Sequence, residues 1–201
     1  AELLPIVEAE RDAVAGVWER KKEAIFTKQA KARSVIAMPV AVQGDYDLEV
    51  QFTRTAGDDA VGAIFPISNV SCLLTLSESA GAMSRLVIEN RTDLNADARA
   101  TRTSRRPKLR VEPNTLTNSQ KYTVLITVRT KGDIASVHVV LDGKTHLNWS
   151  GRPRAASLDS WPSVPSQQIG LACNDPVVFH SVRLRPISNK AIFISPKSKG
   201  Q

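Results

Sequence analysis

The run Asp45-Tyr46-Asp47-Leu48-Glu49-Val50-Gln51-Phe52-Thr53 alternates polar and apolar residues without a break. In an extended chain successive side chains point to opposite faces, so Tyr46, Leu48, Val50 and Phe52 share one face and the polar residues the other. A helix would scatter the same residues around its axis, so this stretch reads as a half-buried strand. Comparable runs recur at 34–42, 60–67, 70–77, 84–89, 121–129, 134–141, 144–149, 167–173 and 177–187. Glycine, asparagine, aspartate and proline separate them, and Asp142-Gly143 between two of them predicts a tight hairpin turn. About ten short strands at this spacing predict an all-β fold of two antiparallel sheets with minimal helix.

Residues 1–22 alone have a helical look: Ile6, Val7, Ala13, Val14 and Trp18 are loosely periodic, and Gly16 interrupts them. A short helix or turn is expected there, with Trp18 closing an edge of the sandwich. The 201 residues suit one sandwich domain with its core at about 16–187 and a frayed tail from Ser195. No apolar run approaches the ~20 residues of a membrane-spanning helix. The chain starts at Ala1 without a signal-like segment, which suits a processed export product or an excised domain and points to a secreted or cell-envelope location.

Charge is concentrated in one place. Residues 83–132 hold eleven Lys/Arg against four Asp/Glu, which accounts for the whole net charge of +7. Within the irregular stretch 91–120, Arg99, Arg102, Arg105, Arg106, Lys108 and Arg110 follow one another with no acid among them. Such a cluster attracts polyanions through phosphate, sulfate or carboxylate groups, or is simply a solvated loop. No aromatic residue stands between Arg99 and Arg110 to stack on bases, so an acidic polysaccharide fits at least as well as a nucleic acid.

The candidate chemistry is sparse. Asp45, Asp47 and Glu49 share a strand face at roughly 6.5–7 Å spacing, and retaining glycosidases use paired carboxyls about 5–5.5 Å apart. Asp47 and Glu49 are therefore catalytic candidates, with the solvated face of an amphipathic strand as the plain alternative. Asp58 and Asp59 after Gly57 form a weak candidate for calcium; no cofactor is otherwise implied. His138, His146 and His180 have no metal-binding spacing, and no nucleophile elbow or phosphate-binding loop occurs. Trp149 and Trp161 are candidate sugar platforms, with Asn148 and Arg152 supplying polar contacts, unless the rings are spent on packing. Cys72 and Cys173 sit in strand-like runs and are expected to be separate buried thiols, a long-range disulfide being the alternative.

Several short motifs occur in a telling order: Gly16-x-Trp18, Met38-Pro39, the strand 46–54 and Gly57-Asp58-Asp59. Leu141-Asp142-Gly143, Trp149-x-Gly151 and Val178-Phe179-His180-x-Val182-x-Leu184 follow. Together they resemble the concanavalin A-like lectin/glucanase sandwiches, and in particular modules of planctomycete-type bacteria similar to the domain named for 3-keto-disaccharide hydrolases. The laminarinase-type glucanases in that fold carry an acidic strand of form E-x-D-x-E, from which Asp45 departs at the first position. The resemblance implies a jelly roll, often exported, and carries no catalytic signature onto this chain. The expected function is a non-catalytic carbohydrate-binding or scaffold module. A glycoside hydrolase is the alternative, and a nucleic-acid binder the third.

Overall fold

The computed structural model describes residues 1–29, 31–88, 109–111, 116–153, 161–165, 167–187 and 191–193. Fifteen strands occur among them: β1 (Ala13–Ala15), β2 (Glu19–Lys21), β3 (Ala24–Thr27), β4 (Ser34–Val42), β5 (Tyr46–Arg54), β6 (Val61–Ile67), β7 (Val70–Ser77), β8 (Met83–Val87), β9 (Leu109–Val111), β10 (Lys121–Lys131), β11 (Ile134–Leu141), β12 (Lys144–Gly151), β13 (Gln168–Cys173), β14 (Val177–Pro186) and β15 (Ala191–Phe193). They form two antiparallel sheets, as the alternation predicts. One, here the β5 sheet, runs β12-β11-β10-β5-β14-β3-β2; the other, the β6 sheet, runs β1-β4-β13-β6-β7-β8-β9 with β15 also paired to β4. The strands beyond the ten read from the sequence are three or four residues long, too short to show a period of two.

The two sheets bury their apolar faces against each other. Tyr46, Leu48, Val50 and Phe52 of β5 lie in that core with Ile126 and Val128 of β10, Val182 and Leu184 of β14, and Val61, Phe65 and Leu74 from the opposite sheet. Phe52 stacks on Tyr122 with ring centroids 5.7 Å apart, and Trp18 packs on Phe179 at 6.1 Å, closing the edge it was expected to close. Asp142 and Gly143 both take positive φ in the β11–β12 hairpin, the conformation that favours an Asp-Gly pair there.

The N-terminal segment differs from a simple helix. Its helical part is a 3-10 turn at Leu4–Ile6 and one helical turn at Ala9–Asp12, and strands β1 and β2 follow. Ahead of them the backbone pairs with β14: Leu3 N–H donates to the Val182 carbonyl at 2.7 Å, and Leu184 N–H donates to the Ala1 carbonyl at 2.8 Å. Leu3, Leu4 and Val7 are buried in the core. Their hydrophobicity is spent on filling the edge of β14 beyond the reach of β3.

Cys72 and Cys173 are both buried and free. They stand on β7 and β13, which are separated by β6, with Cys72 opposite Phe65 and Cys173 opposite Val61. Two strand spacings alone put them about 9.6 Å apart, beyond the ~7 Å limit for bridged Cα atoms. The register of the β6 sheet therefore excludes a bond between them, and burial pushes both thiols far above their ordinary pKa.

Candidate functional site

The polar face of β5 does not end at β5. Asn148 on β12, His138 on β11, Thr127 on β10, Asp47 on β5 and Arg185 on β14 stand directly opposite one another across five neighbouring strands. Directly opposed residues share a face, so these five make one row about 19 Å long on the outside of the β5 sheet. The adjacent rows add Arg129, Ser136 and Ser150 on one side, and Glu49 and Arg183 on the other.

Asp47 anchors the row. One carboxylate oxygen accepts from the Arg129 Nη2 at 2.7 Å; the other accepts from the Arg185 Nε at 2.9 Å and also from its Nη2. Arg129 is itself fixed, donating through Nη1 to the Tyr46 carbonyl at 2.9 Å and to the Val128 carbonyl at 2.8 Å. Asp47, a catalytic candidate or else part of a solvated strand face by its sequence, is buried, because the two long arginine side chains lie over it. Burial acts to raise its pKa, but the hydrogen bonds and charges of Arg185 and Arg129 outweigh that and hold it below the ordinary carboxylate value. Glu49 faces Arg183 more loosely, at 3.6 Å.

His138 is half-buried on the same face, with Nε2 3.3 Å from the Thr145 hydroxyl. His180, at a bulge in β14, sits 2.9 Å from the Thr53 hydroxyl, and its pKa is lowered by burial and by Lys121. Burial also lowers that of His146, whose Nε2 is buried with no hydrogen-bond partner.

These shifts fix a pH dependence. Both histidines have folded pKa values below the unfolded value, so the unfolded chain takes up protons first as pH falls below about 6.5. Asp47 contributes stability that is complete above its unfolded pKa of about 3.9 and is lost as pH falls through its lower folded value. Thermal melts should be level from pH 8 to 7, decline from about pH 6.5, and decline more steeply below about pH 4. A His146→Asn/His180→Gln double variant should lose the first decline and keep the second; a profile unchanged from wild type would contradict the assignment.

The other sequence candidates fall elsewhere. Trp149 is half-buried on the inner face of edge strand β12, packed against the core, while its neighbour Asn148 points outward. Arg152, just past that strand, pairs with Asp133 at 2.7 Å. Trp161 lies on the far side of the molecule, buried among Val35, Ala37, Ile64, Leu73, Val164 and Ala172 on the outer face of the β6 sheet, with the Arg33 guanidinium 5.6 Å from its ring centroid. The two tryptophans do not form a shared platform. Val164 of this cluster packs directly over Gly170, where a Cβ would come within 2.6 Å of Val164 Cγ1.

Asp58 and Asp59 brace one end of the sandwich. Asp175 accepts the N–H groups of Asp58 and Asp59 at 2.9 and 2.7 Å. The Asp59 carboxylate accepts from Ala60 N–H, Ser79 N–H and the Asn174 side-chain amide at 2.8, 3.1 and 3.0 Å. Gly57 is required here: its φ is +84°, and a Cβ would fall 2.2 Å from Asp175 Cγ. Among the described residues no group of three or more His, Cys, Asp or Glu side chains is placed to hold a metal ion. Arg99, Arg102, Arg105, Arg106 and Lys108 lie outside the described residues, as does the side chain of Arg110, whose backbone pairs with Arg85.

No protein-family profile matches this chain, and neither does any curated protein. Solved structures do. The Emp46p carbohydrate recognition domain, in a metal-free form, superposes with a TM-score of 0.56 at 10% identity, covering 92% of this chain and 94% of that one. The exoplasmic/lumenal domain of VIP36, in a Ca2+/Man3GlcNAc-bound form, gives 0.55 at 10% identity over 88% and 86%. A Bacillus subtilis protein with a galectin-like fold gives 0.51 at 12% identity over 81% of each chain. The fold is a lectin-like sandwich. It is the concanavalin A-like architecture that the order of motifs implies.

The sequence offers Asp47 and Glu49 as catalytic candidates and Asn148 as a sugar contact beside Trp149, and does not place Arg129, Arg183, Arg185 and His138 beside them. The Arg183-x-Arg185 spacing puts two cations on one strand face, which was legible. That β14 and β10 flank β5 was not.

Proposed function

We propose that the protein is a non-catalytic carbohydrate-binding module whose ligand lies across the outer face of the β5 sheet. One observation carries this reading: Asp47 is held ionised between Arg129 and Arg185, within a row whose other members present amide, imidazole and hydroxyl groups to solvent. A set of donors and acceptors fixed before binding suits sugar hydroxyls, since little side-chain freedom is then lost on association. The lectin-like fold and the carbohydrate-binding domains that share it agree with this reading. Hydrolysis fits less well, because a glycosidase acid must carry a proton and a carboxylate under two guanidinium groups does not hold one at neutral pH. No family profile supports the resemblance to 3-keto-disaccharide hydrolase-type domains, so it lends the hydrolase reading no weight.

A glycan array followed by calorimetry on the best ligand tests this. His138→Ala and Asn148→Ala should each weaken binding about tenfold, or about 1.4 kcal/mol, while leaving the melting temperature within 2–3 °C. Glu49→Gln should leave binding intact, whereas loss of a sugar-cleaving turnover in that variant would favour the hydrolase. Chelation should not release the ligand, because the Asp59 carboxylate is already committed to three N–H donors. No retained glycan, or variants that bind like wild type, would overturn the proposal.

The cluster Arg99, Arg102, Arg105, Arg106, Lys108 and Arg110 extends it toward acidic polysaccharides, and a module of this kind acts at the cell envelope or outside the cell. Replacing Arg102, Arg105, Arg106 and Lys108 with Ser should lower the salt needed to elute the protein from heparin resin, without lowering its melting temperature.

A further inference from the structure

On the outer face of the β5 sheet the charges are layered by depth. The Asp47 side chain is 7% exposed, whereas those of Arg185 and Arg129 above it are 75% and 37% exposed. In the next row Arg183 is 63% exposed and Glu49 32%. Glu2, the other acid near Arg183, is 34% exposed, and its carboxylate also accepts from Val182 N–H at 2.7 Å and from the Ser181 hydroxyl at 2.5 Å. Arg183 is 3.5 Å from Glu2 and 3.6 Å from Glu49, longer than hydrogen bonds. Asp47 is therefore sunk and Glu2 occupied from below, and of these six charged side chains Arg185 and Arg183 are the most exposed.

Arg183 and Arg185 alternate on β14 and so stand roughly 6.5–7 Å apart on one face. Arg185 gives Nε and Nη2 to Asp47, which leaves its Nη1 hydrogens directed to other partners; Arg129 gives Asp47 only Nη2. A second carboxylate or a sulfate reaching this spot from solvent meets guanidinium edges already oriented, and two oxygens of one oxyanion bind such a fork through paired hydrogen bonds.

We propose that this arginine-lined end of the face, Arg129, Arg183 and Arg185 around the sunken Asp47, binds an anionic group carried by the saccharide, a uronate carboxylate or a sulfate ester. This rests on the carbohydrate-binding reading above and adds the ligand's charge. Asp47 serves as a positioning residue that sets the two forks. The site is separate in sequence from the cluster at 99–110, and it discriminates by geometry where a run of basic residues attracts any polyanion.

The test is calorimetry with tetragalacturonate, its fully methyl-esterified counterpart and a sulfated disaccharide, with the neutral glycans of the array as reference. The free acid or the sulfated probe should bind at least tenfold more tightly than the neutral ester. Arg183→Gln, at an exposed position, should erase that preference without changing the melting temperature; Arg185→Gln should erase it too, with a lower melting temperature because Asp47 keeps only Arg129 as its partner. The Arg102/Arg105/Arg106/Lys108→Ser variant should retain it. Equal affinity for acid and ester, an unaltered preference in the Arg185 and Arg183 variants, or a preference that disappears with the 102–108 variant would each overturn the proposal. If a neutral glycan binds and neither anionic probe does, this inference fails while the carbohydrate-binding reading survives. If no saccharide binds at all, both fail.

Discussion

Arg54→Met should lower the melting temperature by about 6–20 °C, the equivalent of about 3–5 kcal/mol for a chain of this size. Arg54 ends β5 and is buried at the end of the sandwich that carries the 57–59 loop. Its Nε donates to Asn118 Oδ1 at 2.7 Å, its Nη1 to the Asp59 carbonyl at 3.0 Å and to the Ser77 hydroxyl at 3.1 Å, and its Nη2 to the Leu116 carbonyl. One guanidinium thus ties together the loop after β5, the turn after β7 and the segment entering β10. Methionine has similar reach but no donors, so two carbonyls and an amide oxygen would be left buried or forced to admit water. The neighbouring carboxylates of Asp175, Asp58 and Asp59 would also lose a countercharge. Arg54→Lys should fall between, because a single ammonium cannot reach partners on three segments. Differential scanning calorimetry decides this, and a methionine variant melting within 2 °C of wild type would refute it.

Gly62→Ala should be nearly as damaging, at about 3 kcal/mol or more, for a different reason. Gly62 lies opposite Thr75 on β7 and opposite Ala172 on β13, in the middle of the β6 sheet. An added Cβ would come within 2.1 Å of the Leu74 carbonyl oxygen. Backbone cannot step aside as a side chain can, so β6 and β7 would have to separate and weaken the ladder between them. Gly132→Ala makes a suitable control, because its φ is +64° but nothing lies within 4 Å of the added atom. It should cost only the ~1–2 kcal/mol of a left-handed residue. If the two variants lose equal stability, the close strand contact at Gly62 is not what requires glycine there.

The acidic alternation of β5 shows how one pattern can serve two ends. Asp45, Asp47 and Glu49 lie on one face, as the period of two dictates, and that spacing is what suggests paired catalytic carboxyls. In the folded chain each acid is engaged differently. Asp45 accepts from the Thr130 N–H and hydroxyl at 2.8 and 2.7 Å, Asp47 from two arginines, and Glu49 faces Arg183. None of those partners is nearer than 80 positions along the chain, and they commit each of the acids that the spacing alone leaves free.

The sandwich, the strand runs, the Asp142-Gly143 turn and the inward aromatic face of β5 are all determined by the sequence alone. Each depends on residues within a few positions of one another, where the two-residue period and left-handed turn preferences act locally. The separation of Cys72 from Cys173, the burial of Asp47, and the division of Trp149 and Trp161 between opposite sides of the molecule were decided by tertiary structure. So was the docking of Leu3 and Leu4 against β14. These depend on which strands become neighbours and in what register, and strand order follows from packing of the whole chain, which no local pattern encodes.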